Sequence, residues 1–233
     1  PMLVPIEKKG GKAVGLTLSS AQNRYNLKKG LNSKLQDYKT FKKNSLGKFD
    51  GIVSIGAFEH FCSIEEYQAG KQEEIYSKFF KFCADHLPKG GKLYLQTMIW
   101  GKEVPALNRI SLDAPEGSDS VILARAREFY PGSWLPANKE QIIRCAKPYF
   151  KFITSNNGRL DYIQTLKGWV DFSSVWKSPI KTMKAIWGFL RLIPRYFVSK
   201  NFRAQIAYIK CHGQTEIFKR EIFSHERMFF EKQ

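Results

Sequence analysis

FDGIVSIGAFEHF, residues 49–61, is the stretch on which the fold turns. Ile52, Val53 and Ile55 form a short apolar run between Gly51 and Gly56, the pattern of a strand buried on both faces of a parallel sheet. Gly56 lets the backbone leave such a strand tightly, and Glu59 and His60 follow at once. In an open α/β sheet, ligands sit beyond the carboxyl ends of the strands, so an acid and an imidazole placed there are candidates for proton chemistry. A surface glutamate beside a structurally hydrogen-bonded histidine fits the same residues.

Upstream of this stretch, residues 2–9 read as the end of a helix closed by Gly10-Gly11, and Lys12–Leu18 as a buried strand. Ser19 or Ser20 is placed to cap a helix over Ala21–Lys29, which Gly30 stops. Leu31–Tyr38 is a weak short strand, and Lys39–Lys48 is a polar, Lys-rich loop. Downstream, Ile75, Phe79, Phe80, Phe82 and Cys83 give an apolar face to a helix over Glu73–His86. The turn Leu87-Pro88-Lys89-Gly90-Gly91 leads into a strand over Lys92–Trp100. Phe129–Pro136 is an aromatic, Pro- and Gly-containing turn, and Asn138 is placed to cap a helix reaching about Lys147. A strand over Tyr149–Ser155, a helix over Asp161–Asp171, a basic aromatic region and a final edge strand at Arg227–Glu231 complete the pattern.

Alternating strands and helices predict a doubly wound α/β sheet with right-handed crossovers. The sequence starts inside a helix, with no preceding strand or Gly-rich turn, so the front of such a fold is expected to lie upstream. We read residues 1–233 as one domain. Its core sheet falls over about 1–100 and 149–233, an acceptor-side insertion over about 101–148, and a basic aromatic helical region over about 176–220.

Charge narrows the partners. Thirty-eight Lys and Arg against 21 Asp and Glu give a net +17, a field suited to an anionic partner such as a membrane surface. The basic residues are dispersed and no nucleic-acid-binding motif is present, so nucleic acid is not expected. Cys62, Cys83, Cys145 and Cys211 show neither CxxC spacing nor a disulfide rhythm, which favours a reduced cytoplasmic setting without a metal site. No window reaches the roughly 18 apolar residues of a membrane span. Ile186, Phe189, Leu190, Ile193 and Phe197 instead recur at helical spacing beside Lys184, Arg191 and Arg195. This pattern suits peripheral attachment to the inner face of a membrane, or equally a helix packed on the sheet. Homodimer formation is left open.

Gly15-Leu16-Thr17-Leu18-Ser19 with Gln22, IVSIGAFEHF, LPKGGKLYLQT, FYPGSWLP, and Asp161-Tyr162 with Thr165-Leu166 and Trp169 occur in this order. Together they resemble the cyclopropane-fatty-acyl-phospholipid synthase family, which includes the mycolic acid cyclopropane synthases. The resemblance covers residues 1–172 well and the rest loosely. It implies a Rossmann-like class I methyltransferase sheet whose first strand and Gly-rich cofactor turn would precede Pro1. It also implies S-adenosyl-L-methionine (SAM) as cofactor, with Thr17, Leu18, Ser19 and Gln22 near its methionine and ribose, and Asp37 and Tyr38 at the adenine. The implied reaction is methyl transfer to an unsaturated fatty acyl chain of a phospholipid, through a carbocation and a bicarbonate base held by Glu59, His60 and Tyr162. Cys211 loosely matches a cysteine once proposed as catalytic in the family, although a structural role fits it better. A small-molecule N- or C-methyltransferase and a non-catalytic membrane-binding remnant are the alternatives.

Overall fold

A computed structural model describes residues 2–41, 49–173, 178–210 and 212–233. The chain runs through α1 (Leu3–Lys8), β1 (Gly15–Thr17), α2 (Ser20–Lys28), β2 (Ser33–Leu35), β3 (Gly51–Ile55), α3 (Ile64–Gln68) and α4 (Gln72–His86). It continues through β4 (Lys92–Trp100), α5 (Asp119–Phe129), α6 (Lys139–Ala146), β5 (Phe150–Asn157) and α7 (Arg159–Ser173). The described chain closes with α8 (Pro179–Val198), α9 (Lys200–Lys210), α10 (Gly213–Lys219) and β6 (Phe223–Lys232).

Local chemistry explains several boundaries. Ser19 Oγ accepts from the Gln22 backbone N–H at the start of α2, and Asn138 Oδ1 accepts from Gln141 N–H at the start of α6. At α3, Ser63 and Glu66 form a reciprocal capping box. The apolar stripe of α4 buries Ile75, Tyr76, Phe79, Phe80 and Cys83 against Leu93 and Leu95 of β4 and Phe230 of β6. Each such ring or branched chain contributes roughly 1.5–3 kcal/mol by leaving water.

Four strands form one sheet in the order β3-β4-β6-β5, with β3 parallel to β4 and β6 antiparallel to both neighbours. β1 and β2 pair in parallel as a separate two-stranded sheet.

Three expectations are corrected here. The strand read over Asp50–Ile55 is not buried on both faces: among the described residues β3 is the terminal strand of its sheet, and Val53 and Ile55 remain 43% and 42% exposed. An apolar run reports hydrophobicity, whereas the order of strands decides which of them are covered. The final strand is not an edge strand. β6 is inserted between β4 and β5, and it begins at Phe223, four residues before the expected Arg227, with His225 and Glu226 buried in the added length. The predicted strand over Lys12–Leu18 shortens to the three residues of β1. Positions 42–48 of the Lys-rich loop, positions 174–177 at the start of the basic region, and Cys211 lie outside the described residues.

Candidate active site

β3 ends at Ile55, and Gly56 turns the chain with φ +65°, its N–H donating to Gln96 O at 3.1 Å. The following turn, Phe58–His60, is anchored by Phe58, which is fully buried and stacks on Tyr76 with ring centroids 4.4 Å apart. That anchoring drives Glu59 inward, to 2% exposure, where Thr97 Oγ1 of β4 donates to its Oε2 at 2.9 Å. Burial pushes the Glu59 carboxyl above the usual carboxylate range; hydrogen bonds from its own backbone and from Thr97 only partly oppose this.

His60 stays exposed on one side, and partial burial lowers its pKa, which favours the neutral imidazole. Its Nδ1 lies 3.0 Å from Ser133 Oγ, 73 residues on in the chain. Two backbone hydrogen bonds bring the segments together: Ile64 N–H donates to Gly132 O at 3.1 Å, and Trp134 N–H donates to Cys62 O at 2.9 Å. With Nδ1 engaged by Ser133, Nε2 is the nitrogen left for exchange with a ligand.

Glu59, His60 and Ser133 face a cavity of about 60 Å³, room for two waters or a group of that size. Met98, Ile110, Leu123 and Phe223 supply apolar wall, while Trp100, Tyr130 and Trp134 add aromatic rings. Arg127 and Gln214 also line it. The indole N–H groups of Trp100 and Trp134 are buried without a hydrogen-bond partner among the described residues.

Tyr162 sits on α7 and does not line this cavity. Its ring stacks on His225 at 4.8 Å and packs on Phe218 at 4.9 Å. Its hydroxyl is close enough to feel Glu59 and Tyr130: burial first, then these two groups, push its pKa up to about 12. His225 is 3% exposed with Nδ1 unpartnered among the described residues, and burial with neighbouring Arg227 pulls its pKa down to about 4.

The expected cofactor residues form two small groups. At the carboxyl end of β1, Thr17 Oγ1 donates to Gln22 Oε1 at 2.9 Å and accepts from Ser19 N–H at 3.1 Å, while Leu18 is 74% exposed. Beyond β2, Asp37 Oδ1 accepts from Lys39 N–H at 2.9 Å. The Tyr38 ring packs against Phe61 at 4.8 Å and Phe82 at 5.2 Å, with its hydroxyl buried and unpartnered among the described residues. That Tyr38–Phe61 contact ties the end of β2 to the Glu59–His60 turn.

Sequence reasoning missed Thr97, Ser133 and His225. Thr97 carried a signal, being the polar member of the alternating inward set Leu93, Leu95, Thr97, Ile99. Ser133 lies in the FYPGSWLP segment that the resemblance singled out, but nothing local pairs it with His60, which only the tertiary fold brings to it.

A family model described as mycolic acid cyclopropane synthetase matches residues 2–211. Cyclopropane mycolic acid synthase 2 of Mycobacterium leprae (strain TN) is 29% identical over 180 residues, 72% of this chain and 56% of that protein. The chain therefore spans little more than half the length of this curated relative. Among solved structures, the cyclopropane synthase MmaA2 from Mycobacterium tuberculosis matches with a TM-score of 0.67 at 19% identity, covering 99% of this chain and 73% of that one. Mycolic acid cyclopropane synthase CmaA1, solved in complex with SAH and CTAB, matches with a TM-score of 0.66 at 22% identity, covering 99% and 73%. The fold is that of class I SAM-dependent methyltransferases. With the family model matched along nine-tenths of its length, the chain belongs to the mycolic acid cyclopropane synthetase family.

Proposed function

We propose that the protein transfers a methyl group from SAM to an unsaturated fatty acyl chain of a phospholipid, yielding a cyclopropane or a methyl branch, with bicarbonate as base. The observation that carries this reading is a buried carboxyl, Glu59, beside an imidazole biased towards neutrality, His60, both facing an apolar, aromatic cavity beyond a strand's carboxyl end. The family match and the relative solved with SAH support the choice of cofactor.

The residues at the ends of β1 and β2 fit such a cofactor. Thr17, Ser19 and Gln22 offer hydroxyl and amide groups near the surface, and Leu18 offers an exposed apolar side chain. Asp37 uses Oδ1 on Lys39 N–H, and its other oxygen has no partner among the described residues. Thr17, Leu18, Ser19 and Gln22 would hold the methionine and ribose end, with Asp37 and Tyr38 at the adenine. When bound, the cofactor supplies an electrophilic methyl.

An alkene is a weak nucleophile, so the chain's part is to hold it in line and keep water out, the work of Met98, Ile110, Leu123 and Phe223. Carbon–carbon bond formation leaves a cation beside the new methyl, and the faces of Trp100, Tyr130 and Trp134 suit a positive charge. Losing a proton from the new methyl closes a ring; losing it from the neighbouring carbon gives a branch. If bound, bicarbonate would supply the base: Glu59 and His60 at the cavity would hold it, the Tyr162 hydroxyl, close enough to feel Glu59, would be a further donor from behind the wall, and His60, biased towards neutrality, would accept the proton. Glu59, whose burial raises its pKa, would hold the base by a hydrogen bond at its carboxyl or its backbone carbonyl.

A small-molecule methyltransferase is the second reading, favoured by the modest cavity and by Arg127 and Gln214 in its wall. Labelled SAM offered with unsaturated phospholipid vesicles or with amines separates the two, and label confined to amines overturns the lipid reading. In the intact protein, His60→Ala should cut product formation by about 10²–10⁴-fold while leaving SAM affinity within about twofold. A large loss of affinity would remove His60 from proton handling.

A further inference from the structure

α8 differs from the other helices in what it leaves uncovered. Ile180, Met183, Trp187, Leu190 and Phe197 recur at helical spacing and are between 51% and 74% exposed. At about 100° per residue they fall on one stripe, with the exposed Arg191 and Arg195 along one border. α9 holds the helix from elsewhere: Arg203 Nη1 donates to Tyr196 O at 3.2 Å and Phe197 O at 2.9 Å, and Arg195 lies 4.9 Å over the Phe202 ring.

What covers this stripe follows from charge. Residues 172–215 contain eight Lys and Arg and no Asp or Glu. A second copy of the chain would bring the same positive field to the contact, and nucleic acid has no use for a stripe of bulky apolar side chains. An anionic lipid surface satisfies both halves of the pattern at once. Among the described residues no helix is long and apolar enough to cross a membrane, and Pro194 interrupts the backbone ladder within α8. Such a helix lies in the plane of the interface.

We propose that α8 is a membrane-docking helix, its stripe seated at the headgroup–acyl boundary of an anionic bilayer with Arg191 and Arg195 at the phosphates. The placement connects the lipid to the candidate site. α9 packs on α5, where Gln205 Nε2 donates to Glu128 O at 2.8 Å and the Tyr208 and Phe129 rings lie 5.3 Å apart. From α5, Leu123, Ala126 and Arg127 line the cavity of Glu59 and His60.

The test is co-sedimentation of the chain with phosphatidylcholine vesicles carrying phosphatidylglycerol or not, without cofactor or methyl acceptor, so its outcome and that of the methyl-transfer reading are independent. Binding should require the anionic lipid. W187S/F197S and R191S/R195S should each weaken it roughly tenfold or more with unchanged circular dichroism. W187F, which keeps the apolar bulk, should still bind but lose tryptophan emission quenched by brominated lipid. That quenching supports the proposal even where a serine variant fails to fold. Undiminished binding of W187S/F197S would show that diffuse charge alone holds the surface, and would overturn the proposal. So would a lipid-free dimer that W187S/F197S converts to monomer.

Discussion

Phe80 on α4 and Phe197 on α8 are the same side chain in opposite circumstances, one fully buried and the other 74% exposed. Both belong to apolar stripes at helical spacing, and nothing in the periodicity distinguishes them. The difference lies in what each helix meets. The α4 stripe is closed over by β4 and β6, with Phe80 at 5.6 Å from Phe230, and its outer face mixes signs through the Lys78–Glu74 and Lys81–Asp85 pairs. The α8 stripe is left open, in a stretch with no acidic residue to balance its lysines and arginines. A periodic stripe says that a face needs cover; the charges around it say what kind of cover.

Removing the buried partner should have the largest effect. Phe80→Ala should lower unfolding free energy by about 3–5 kcal/mol in urea denaturation, through lost burial and the cavity left behind. A cost below about 1 kcal/mol would mean that the α4 face is as loosely covered as that of α8.

His225 tests the same interior by pH. Its pKa is lowered in the fold from 6.5 to about 4, first by burial and then by Arg227. The unfolded chain therefore binds more protons between these values. The contribution to stability is present above about pH 6.5 and is lost as the pH falls towards about 4, to a ceiling of about 3 kcal/mol. His225→Gln should flatten that acid-side fall in the denaturation midpoint. An unchanged slope would place the titration elsewhere.

The smallest effect belongs to the open stripe. Phe197→Ser should change stability in lipid-free buffer by no more than about 0.5 kcal/mol. A larger loss would show that some part of the fold covers α8 after all.

Legibility followed locality. β4 was read from the sequence residue for residue, because the Pro-Gly turn before it and the alternation of Leu93, Leu95, Thr97 and Ile99 are local signals. The cap at Asn138 was legible for the same reason, and that of α2 to within the pair Ser19 or Ser20, of which Ser19 is the cap. The position of a strand within its sheet was not: β3 looked central and β6 peripheral, and the fold reverses them. At the candidate site, Glu59 and His60 stood out as polar residues directly after an apolar strand. Ser133 could not, since its meeting with His60 depends on backbone pairing between two distant turns. Nor could His225, whose stacking on Tyr162 depends on where β6 is inserted.

The insertion of β6 beside β5 also sets the feet of the long excursion between them. The chain leaves β5 at Asn157 and returns at Phe223, and the two ends are stitched together: Gly158 N–H donates to His225 O at 2.8 Å, and Asn157 Nδ2 donates to Ser224 Oγ at 2.8 Å. Gly158 is required there, because a Cβ would come within 2.8 Å of His225 Nδ1. With both feet fixed by the sheet, lengthening the span is entropically cheap, about 0.6 kcal/mol for each doubling of a flexible loop. Within this span α7 and α10 pack on each other and α9 on α5, so the freedom to change lies with the open face of α8, while the sheet beneath stays the same.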